Sequence, residues 1–266
     1  MIIYRTPEEI ALIRQSSQMV ALILAELKAL IKPGTMTKEL DEYAEERVRA
    51  LGGRPAFKGY RGFPASLCTS VNEEIVHGLP SSRRLEEGDI ISLDFGVIYR
   101  GYYGDGAVTY PVGNISSLAQ RLIDTAEKAL YQGLEKVKSG NRISDISHAI
   151  QTYVEARGFS VIRAFVGHGI GQALHEEPQV PNFGPPGRGA LIRPGLTLAI
   201  EPMISAGDWR EEILDDGWTA VTRDRSLAAH FEHTVVATPE GVEVLTLIPE
   251  KKDLSLWTTE ARRAQS

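Results

Sequence analysis

Leu85-Glu86-Glu87-Gly88-Asp89-Ile90-Ile91-Ser92-Leu93-Asp94 and Ile192-Arg193-Pro194-Gly195-Leu196-Thr197-Leu198-Ala199-Ile200-Glu201 are two versions of one pattern. In each, a glycine leads into an apolar strand pattern that carries a carboxylate at the same place, and Asp94 falls on Glu201. A second pair of segments repeats at nearly the same spacing. Lys32-Pro33-Gly34 through Leu51-Gly52 resembles Lys138-Ser139-Gly140 through Arg157-Gly158, with Leu40 on Ile146 and Val48 on Val154. Chance likeness between amphipathic helices would explain the second pair alone. A carboxylate in the same place on both strands tips the balance toward two related halves. Each half supplies helices and strands with an apolar face to bury, so the halves are expected to pack as one α/β (α+β) domain around a shared sheet. A site between them would be pseudo-symmetric.

Working outward, Ile90 to Val97 alternates so that Ile91, Leu93 and Phe95 share one face while Ile90, Ser92 and Asp94 share the other. A turn around Tyr99 to Gly101 and a second strand from about Tyr102 to Val112 complete a hairpin. Further strands are expected at Val161–Val166, Thr197–Ile204, either side of Asp215-Asp216-Gly217, and Phe231–Ala237. Thr6, Pro7 and Glu9 form a helix-start pattern. The helix they open carries Ile10, Ile13, Val20, Leu24 and Leu27 at helical spacing, with Pro33 and Gly34 as its stop. A second helix is expected from about Thr37 to Leu51. Residues 1–248 are expected to form one catalytic unit with halves of about 1–112 and 113–248, followed by a polar tail over 249–266.

The chain has 266 residues, of which 42% are hydrophobic and 24% charged, enough apolar content for a substantial core. A net charge of -6 without a long run of one sign gives no support to nucleic-acid binding. The stretch Met19–Ala25 is far shorter than the ~20 residues a bilayer helix needs, and Glu8 and Glu9 stand where a signal peptide would be basic, so neither membrane nor export is expected. One cysteine, Cys68, excludes an internal disulfide and suits a reducing cytoplasm.

In a hairpin turning about Tyr99–Arg100, Asp94 and Asp105 would stand directly opposite each other, ~5 Å apart at Cβ. Like charges so placed are destabilising, and something positive should sit between them. Glu201 and Glu232 also lie within apolar strand patterns. Burying four ionised carboxylates unpaired would cost several kcal/mol each. Two divalent cations neutralise four negative charges. His168, between Gly167 and Gly169, follows a strand where glycines would let the backbone turn and leave the imidazole unobstructed. Four carboxylates and one imidazole suit Mn, Fe or Co, with Zn also compatible, and no thiolate cluster exists for a structural zinc site. His77 and His175 lie in glycine-bearing segments that fit either a role in the site or a plain surface or core histidine; His148, His230 and His233 carry no supporting pattern and are read as structural.

These residues resemble the methionine aminopeptidases, specifically the short bacterial class (type I), to about Leu247. The likeness rests on Ser66-Leu67-Cys68-Thr69-Ser70-Val71-Asn72-Glu73-Glu74-Ile75-Val76-His77-Gly78, Asp94-Phe95-Gly96, Gly104-Asp105, Gly167-His168-Gly169-Ile170-Gly171, Ile200-Glu201-Pro202 and Phe231-Glu232-His233-Thr234. The resemblance implies the pita-bread fold, two pseudo-symmetric halves around a shared antiparallel sheet with helices outside. It also implies two divalent metals (Co, Mn, Fe or Zn) between which water is activated for attack on the first peptide carbonyl. Asp105 and Glu232 would bridge the metals, Asp94 would complete one, and His168 and Glu201 the other. Glu201 would also pass a proton to the leaving amine, His175 would donate to the developing oxyanion, and His77 would contact the second substrate residue or the departing nitrogen. Tyr60, Phe63, Cys68 and Trp218 would form a cup for the methionine side chain. Phe57, Phe63 and Leu174 depart from what relatives often carry, Leu174 standing where an aromatic is usual. The implied partner is the N-terminal methionine of nascent polypeptides, met by a monomer; metal identity and association with the ribosome are left open. Two other readings stand beside this one: a proline-specific (Xaa-Pro) dipeptidase or aminopeptidase of the same fold, which usually carries an amino-terminal domain for which the helix starting at Thr6 leaves no room, and a non-catalytic binding module.

Overall fold

The computed structural model describes residues 1–248, so the polar tail expected over 249–266 lies outside the described residues. The Thr6 hydroxyl accepts from the Glu9 N–H (3.3 Å) and the Glu9 carboxylate accepts from the Thr6 N–H (2.9 Å). Two of the orphan N–H groups of a helix start are thereby satisfied, and α1 (Pro7–Lys28) begins as expected. It ends at Lys28, before Pro33 and Gly34, with the Ala29 N–H bonded back to Glu26 and Leu27. Among the described residues α1 is the one helix long and apolar enough, by length and composition, to cross a membrane. Ile13, Val20, Leu24 and Leu27 bury its inner face inside the fold.

The chain continues through α2 (Thr37–Ala50), β1 (Arg54–Pro55), β2 (Leu67–Val71), β3 (Glu74–Val76), β4 (Ile90–Tyr99), β5 (Tyr102–Pro111), α3 (Ser117–Leu134) and α4 (Ile143–Glu155). It then forms β6 (Ser160–Val161), β7 (Gly167–Gly169), β8 (Glu176–Val180), β9 (Thr197–Ile200), β10 (Met203–Ser205), β11 (Glu211–Ile213), β12 (Ala220–Thr222), β13 (Ala228–His230), β14 (Glu232–Thr238) and β15 (Gly241–Val244). Nine strands make one antiparallel sheet in the order β1-β4-β5-β14-β9-β7-β8, with β2 added on β4 and β15 on β14. Two smaller three-stranded sheets have the orders β13-β10-β6 and β11-β12-β3.

The two halves repeat in their hydrogen bonds as well as their sequence. Gly34 N–H donates to the Leu85 carbonyl and Gly140 N–H to that of Ile192; Leu85 donates back to Thr35 and Ile192 back to Asn141. The isolated bridges Met36–Arg84 and Arg142–Leu191 are equivalent in the same way. On the outer face of the sheet, Ile91, Leu93, Phe95 and Val97 pack under α1 and α2, while Leu198, Ile200 and Val235 pack under α3 and α4. This is the pita-bread arrangement, with helices outside and the inner face of the sheet left for something else.

Three strand expectations are corrected. Val161–Val166 is paired only over Ser160–Val161. Thr197–Ile204 is two strands, because Pro202 has no N–H to give a ladder and the chain passes there from the large sheet to a small one. Phe231–Ala237 begins one residue later, since at Phe231 the chain makes the same passage in reverse, from β13 into β14. Glu201 and Glu232 stand at these two corners.

Candidate active site

Residues paired across antiparallel strands point to the same face, so the register locates the carboxylates. Asp94 pairs with Ala107, and Ala107 pairs with Glu232 on β14. Asp105, two residues along β5 from Ala107, shares that face. On the other half His168 pairs with Ala199, and Ala199 with Thr234, so His168 projects to the same side. Glu201 extends beyond the end of β9, two residues on from Ala199. Five side chains thus converge on the inner face, with two alanines as the short residues between them. Asp94 and Asp105 are diagonal rather than opposite, which corrects the expected register. The turn is made by Arg100 and Gly101, both at positive φ (50° and 83°), one residue later than the sequence suggested.

The donor atoms of Asp105, His168 and Glu232 lie within 4.8 Å of one another, and all three residues are buried. Burial raises the pKa of every carboxyl in the cluster, and mutual repulsion adds to the effect at Asp94, Glu201 and Glu232. Asp105 is pushed up to about 7. The His168 Nδ1 lies 2.9 Å from the carbonyl of Gly169, so Nδ1 carries the proton and Nε2 presents a lone pair. Burial holds this ring neutral, with its pKa lowered to about 4. Its Nε2 nevertheless faces Oε1 of Glu201 at 3.4 Å, one acceptor against another. Asp94 Oδ1 and Glu232 Oε1 are buried with no hydrogen-bond donor. A set of inward-facing acceptors with nothing to accept from is what hard or borderline divalent cations require. The residues fit such ions.

Gly167 and Gly169 do not serve as turns. Both lie in β7 at ordinary φ, and a Cβ on either would collide with a neighbouring strand's carbonyl, Ala199 on one side and Glu177 on the other. They let β7 sit tightly between β8 and β9, which seats His168. At the seam between halves Thr234 replaces part of the ladder: its hydroxyl accepts from the Asp105 N–H (3.0 Å) and donates to the Asp105 carbonyl (2.8 Å).

A cavity of about 190 Å³ opens onto this cluster. All the expected site residues line it, including His77, His175, Tyr60, Phe63, Cys68 and Trp218. Phe63 meets Trp218 edge-on (5.2 Å between centroids) and Phe57 in the same way (6.5 Å). Trp218 is held by a turn in which Asp216 accepts the N–H groups of Trp218 and Thr219. Cys68 pairs with Asp94 across β2 and β4, and burial, reinforced by that carboxylate, pushes its thiol well up, so it is a neutral apolar wall. His175 lies at the mouth, its ring 4.3 Å from that of His168, with Nδ1 2.7 Å from the Tyr60 hydroxyl. When the phenol donates there, the imidazole proton is on Nε2. His77 sits at positive φ (61°) with its ring against Phe165, and burial lowers its pKa.

Sequence reading missed three wall residues, Arg61, Phe165 and Val166, which no motif marks. It also gave His230 a structural role. That ring is buried with both nitrogens lacking hydrogen bonds, and Nε2 is 4.0 Å from Oε2 of Glu201. Its place follows from the crossing of β13 and β10, which spacing alone does not reveal.

The model of "Metallopeptidase family M24" matches residues 11–239. The chain belongs to this metallopeptidase family. The M24 chain is 54% identical over 248 residues to a protein of Bacillus subtilis called methionine aminopeptidase 1, covering 93% of this chain and 100% of that one. The solved methionine aminopeptidase of Thermotoga maritima superposes with a TM-score of 0.91 at 48% identity, covering 92% of this chain and 99% of the other. The prolidase of Pyrococcus horikoshii superposes at 0.77 with 20% identity, and this M24 chain spans only 65% of it, so that likeness extends to the fold alone. Family and buried Asp, His and Glu cluster together support divalent metal binding.

Proposed function

We infer that the chain is a metal-dependent aminopeptidase that hydrolyses the first peptide bond of polypeptides beginning with methionine. The observation that carries the reading is the joining, in one cavity, of a buried acceptor cluster and an aromatic cup. Two divalent cations would be held by Asp94, Asp105, His168, Glu201 and Glu232. When bound, they supply a water of lowered pKa and polarise the scissile carbonyl. The chain's own residues do the rest. Phe63, Tyr60, Cys68 and Trp218 seat the methionine side chain and exclude water. His175 donates its Nε2 proton to the carbonyl oxygen as charge develops, a contact worth ~3 kcal/mol in comparable sites. Glu201 carries a proton to the departing amine, and His77 touches the residue that follows. We take residues 1–248 as one catalytic unit, since the two halves share one sheet, and a monomer in a reducing cytoplasm as its setting, with no nucleic acid partner.

Release of methionine from Met-Ala-Ser, and not of alanine from Ala-Pro-Ser, by protein stripped of metal and resupplied with Co or Mn is the expected result. Cleavage of the Xaa-Pro peptide would move the chain to the prolidase reading, and no cleavage of either to a binding module. Replacing Cys68 with Ser is expected to raise KM for methionine peptides about fivefold, equivalent to ~1 kcal/mol of lost side-chain contact, with metal content unchanged. Kinetics equal to those of the parent would remove Cys68 from the cup.

A further inference from the structure

His175 stands on a loop between β7 and β8 rather than on a strand. Its ring is braced by Tyr60 on one side, but its backbone needs a separate anchor. The neighbouring Glu176 supplies one: its Oε1 accepts the N–H groups of Gln172 (2.8 Å) and Ala173 (3.0 Å), which closes the loop on itself. The other Glu176 oxygen is paired with the guanidinium of Arg5. The Arg5 side chain is 1% exposed, although the residue belongs to the segment that precedes α1. Its backbone N–H donates to the Gly195 carbonyl (2.8 Å), and Tyr4 bridges to Leu196, so that segment is itself tied to the approach of β9.

The contacts form a closed circuit. Arg5 meets Glu9 (3.4 Å), the Tyr102 hydroxyl donates to Glu9 (3.1 Å), and the Gln172 amide donates to that hydroxyl (3.1 Å), returning to the loop from its other side. The floor of the circuit is Gly171, where a Cβ would collide with the Arg5 guanidinium. A planar, permanently charged fork lying flat on a glycine and gripping two carboxylates fixes a loop more narrowly than a flexible ammonium can.

We propose that Arg5 is a positioning residue for catalysis: through Glu176 it holds the loop that aims the His175 Nε2 at the substrate carbonyl. This rests on the role of His175 given above. Arg5 neither lines the cavity nor belongs to the acceptor cluster, so its effect is expected to pass through the loop that carries His175.

The test is a double-mutant cycle on the metal-loaded enzyme with Met-Ala-Ser, reading kcat, KM, bound metal and Tm. Arg5→Met keeps most of the side-chain volume and removes the fork. It is expected to lower kcat about tenfold or more, as a misplacement of the order of 1 Å does, with KM and metal content unchanged. In a His175→Ala background the same substitution is expected to change kcat less than about twofold, because the group being aimed is gone. An equal loss in both backgrounds, or no loss in either, overturns the proposal while leaving His175 in place. A His175→Ala enzyme with the parent's kcat overturns the oxyanion role and the proposal with it. If Arg5→Met does not fold, Glu176→Gln replaces it in the cycle with the same expectations, since it retains an acceptor for both loop N–H groups and discharges the ion pair.

Discussion

Replacing His168 with Ala is expected to reduce turnover at least about 10³-fold while the chain stays folded. The imidazole reaches the cluster from a three-residue strand whose own fit is secured by Gly167 and Gly169, so removing the ring leaves β7 in place. What is lost is the single neutral donor among four carboxylates, and with it one cation position. Lewis-acid stabilisation is worth several kcal/mol in such reactions, and ~4 kcal/mol corresponds to the loss stated. Rates with saturating Co or Mn, metal content and circular dichroism check it together. A variant turning over like the parent would remove His168 from the centre.

The second large effect concerns the protein freed of divalent cation. Asp105 has its carboxyl raised by burial from an ordinary 3.8 to about 7, and Asp94, Glu201 and Glu232 are raised as well. Below 3.8 the folded and unfolded chains both carry the proton on Asp105, and the fold bears no electrostatic penalty from it. As pH rises toward 7 the unfolded chain ionises first, and stability falls by about 1.4 kcal/mol per pH unit for each group so linked. Chelated protein is therefore expected to lose Tm steadily from roughly pH 4 to about pH 7. Restored Co or Mn should raise Tm and flatten that slope, adding ~4 kcal/mol at a thousandfold excess over Kd. Parallel Tm curves with and without cation would show that the carboxylates do not share a site.

Much of this was legible in the residues. The repeat gave the two halves because a carboxylate at the same place in two apolar strand patterns is rare enough to be recognised twice, and Glu201 and Glu232 stood out because apolar neighbours on both sides predicted burial. The hairpin register did not follow, because Arg100 adopts the left-handed conformation that Asn or Gly usually signals, moving the turn by one residue. The long apolar strands at Thr197 and Phe231 hid their corners for a different reason: periodicity measures alternation, and a strand passing between two sheets keeps alternating. Helix α3 was not singled out, although Ser116 caps it and Leu122, Ile123, Leu130 and Leu134 bury one face of it. The walls of the cavity, and His230 beside Glu201, arise from tertiary crossings that leave no trace in spacing.

The strand that joins the halves, β14, also carries Glu232, and it comes late in the chain. Neither half possesses enough ligands alone: the first brings two aspartates, the second two glutamates and a histidine. During synthesis, then, the centre assembles only after nearly every described residue has left the ribosome's exit, and a chain stalled before Glu232 is inert whatever it has already folded. The same ordering makes the seam a natural place to divide the protein into two complementing fragments, whose recovered activity would report their reunion.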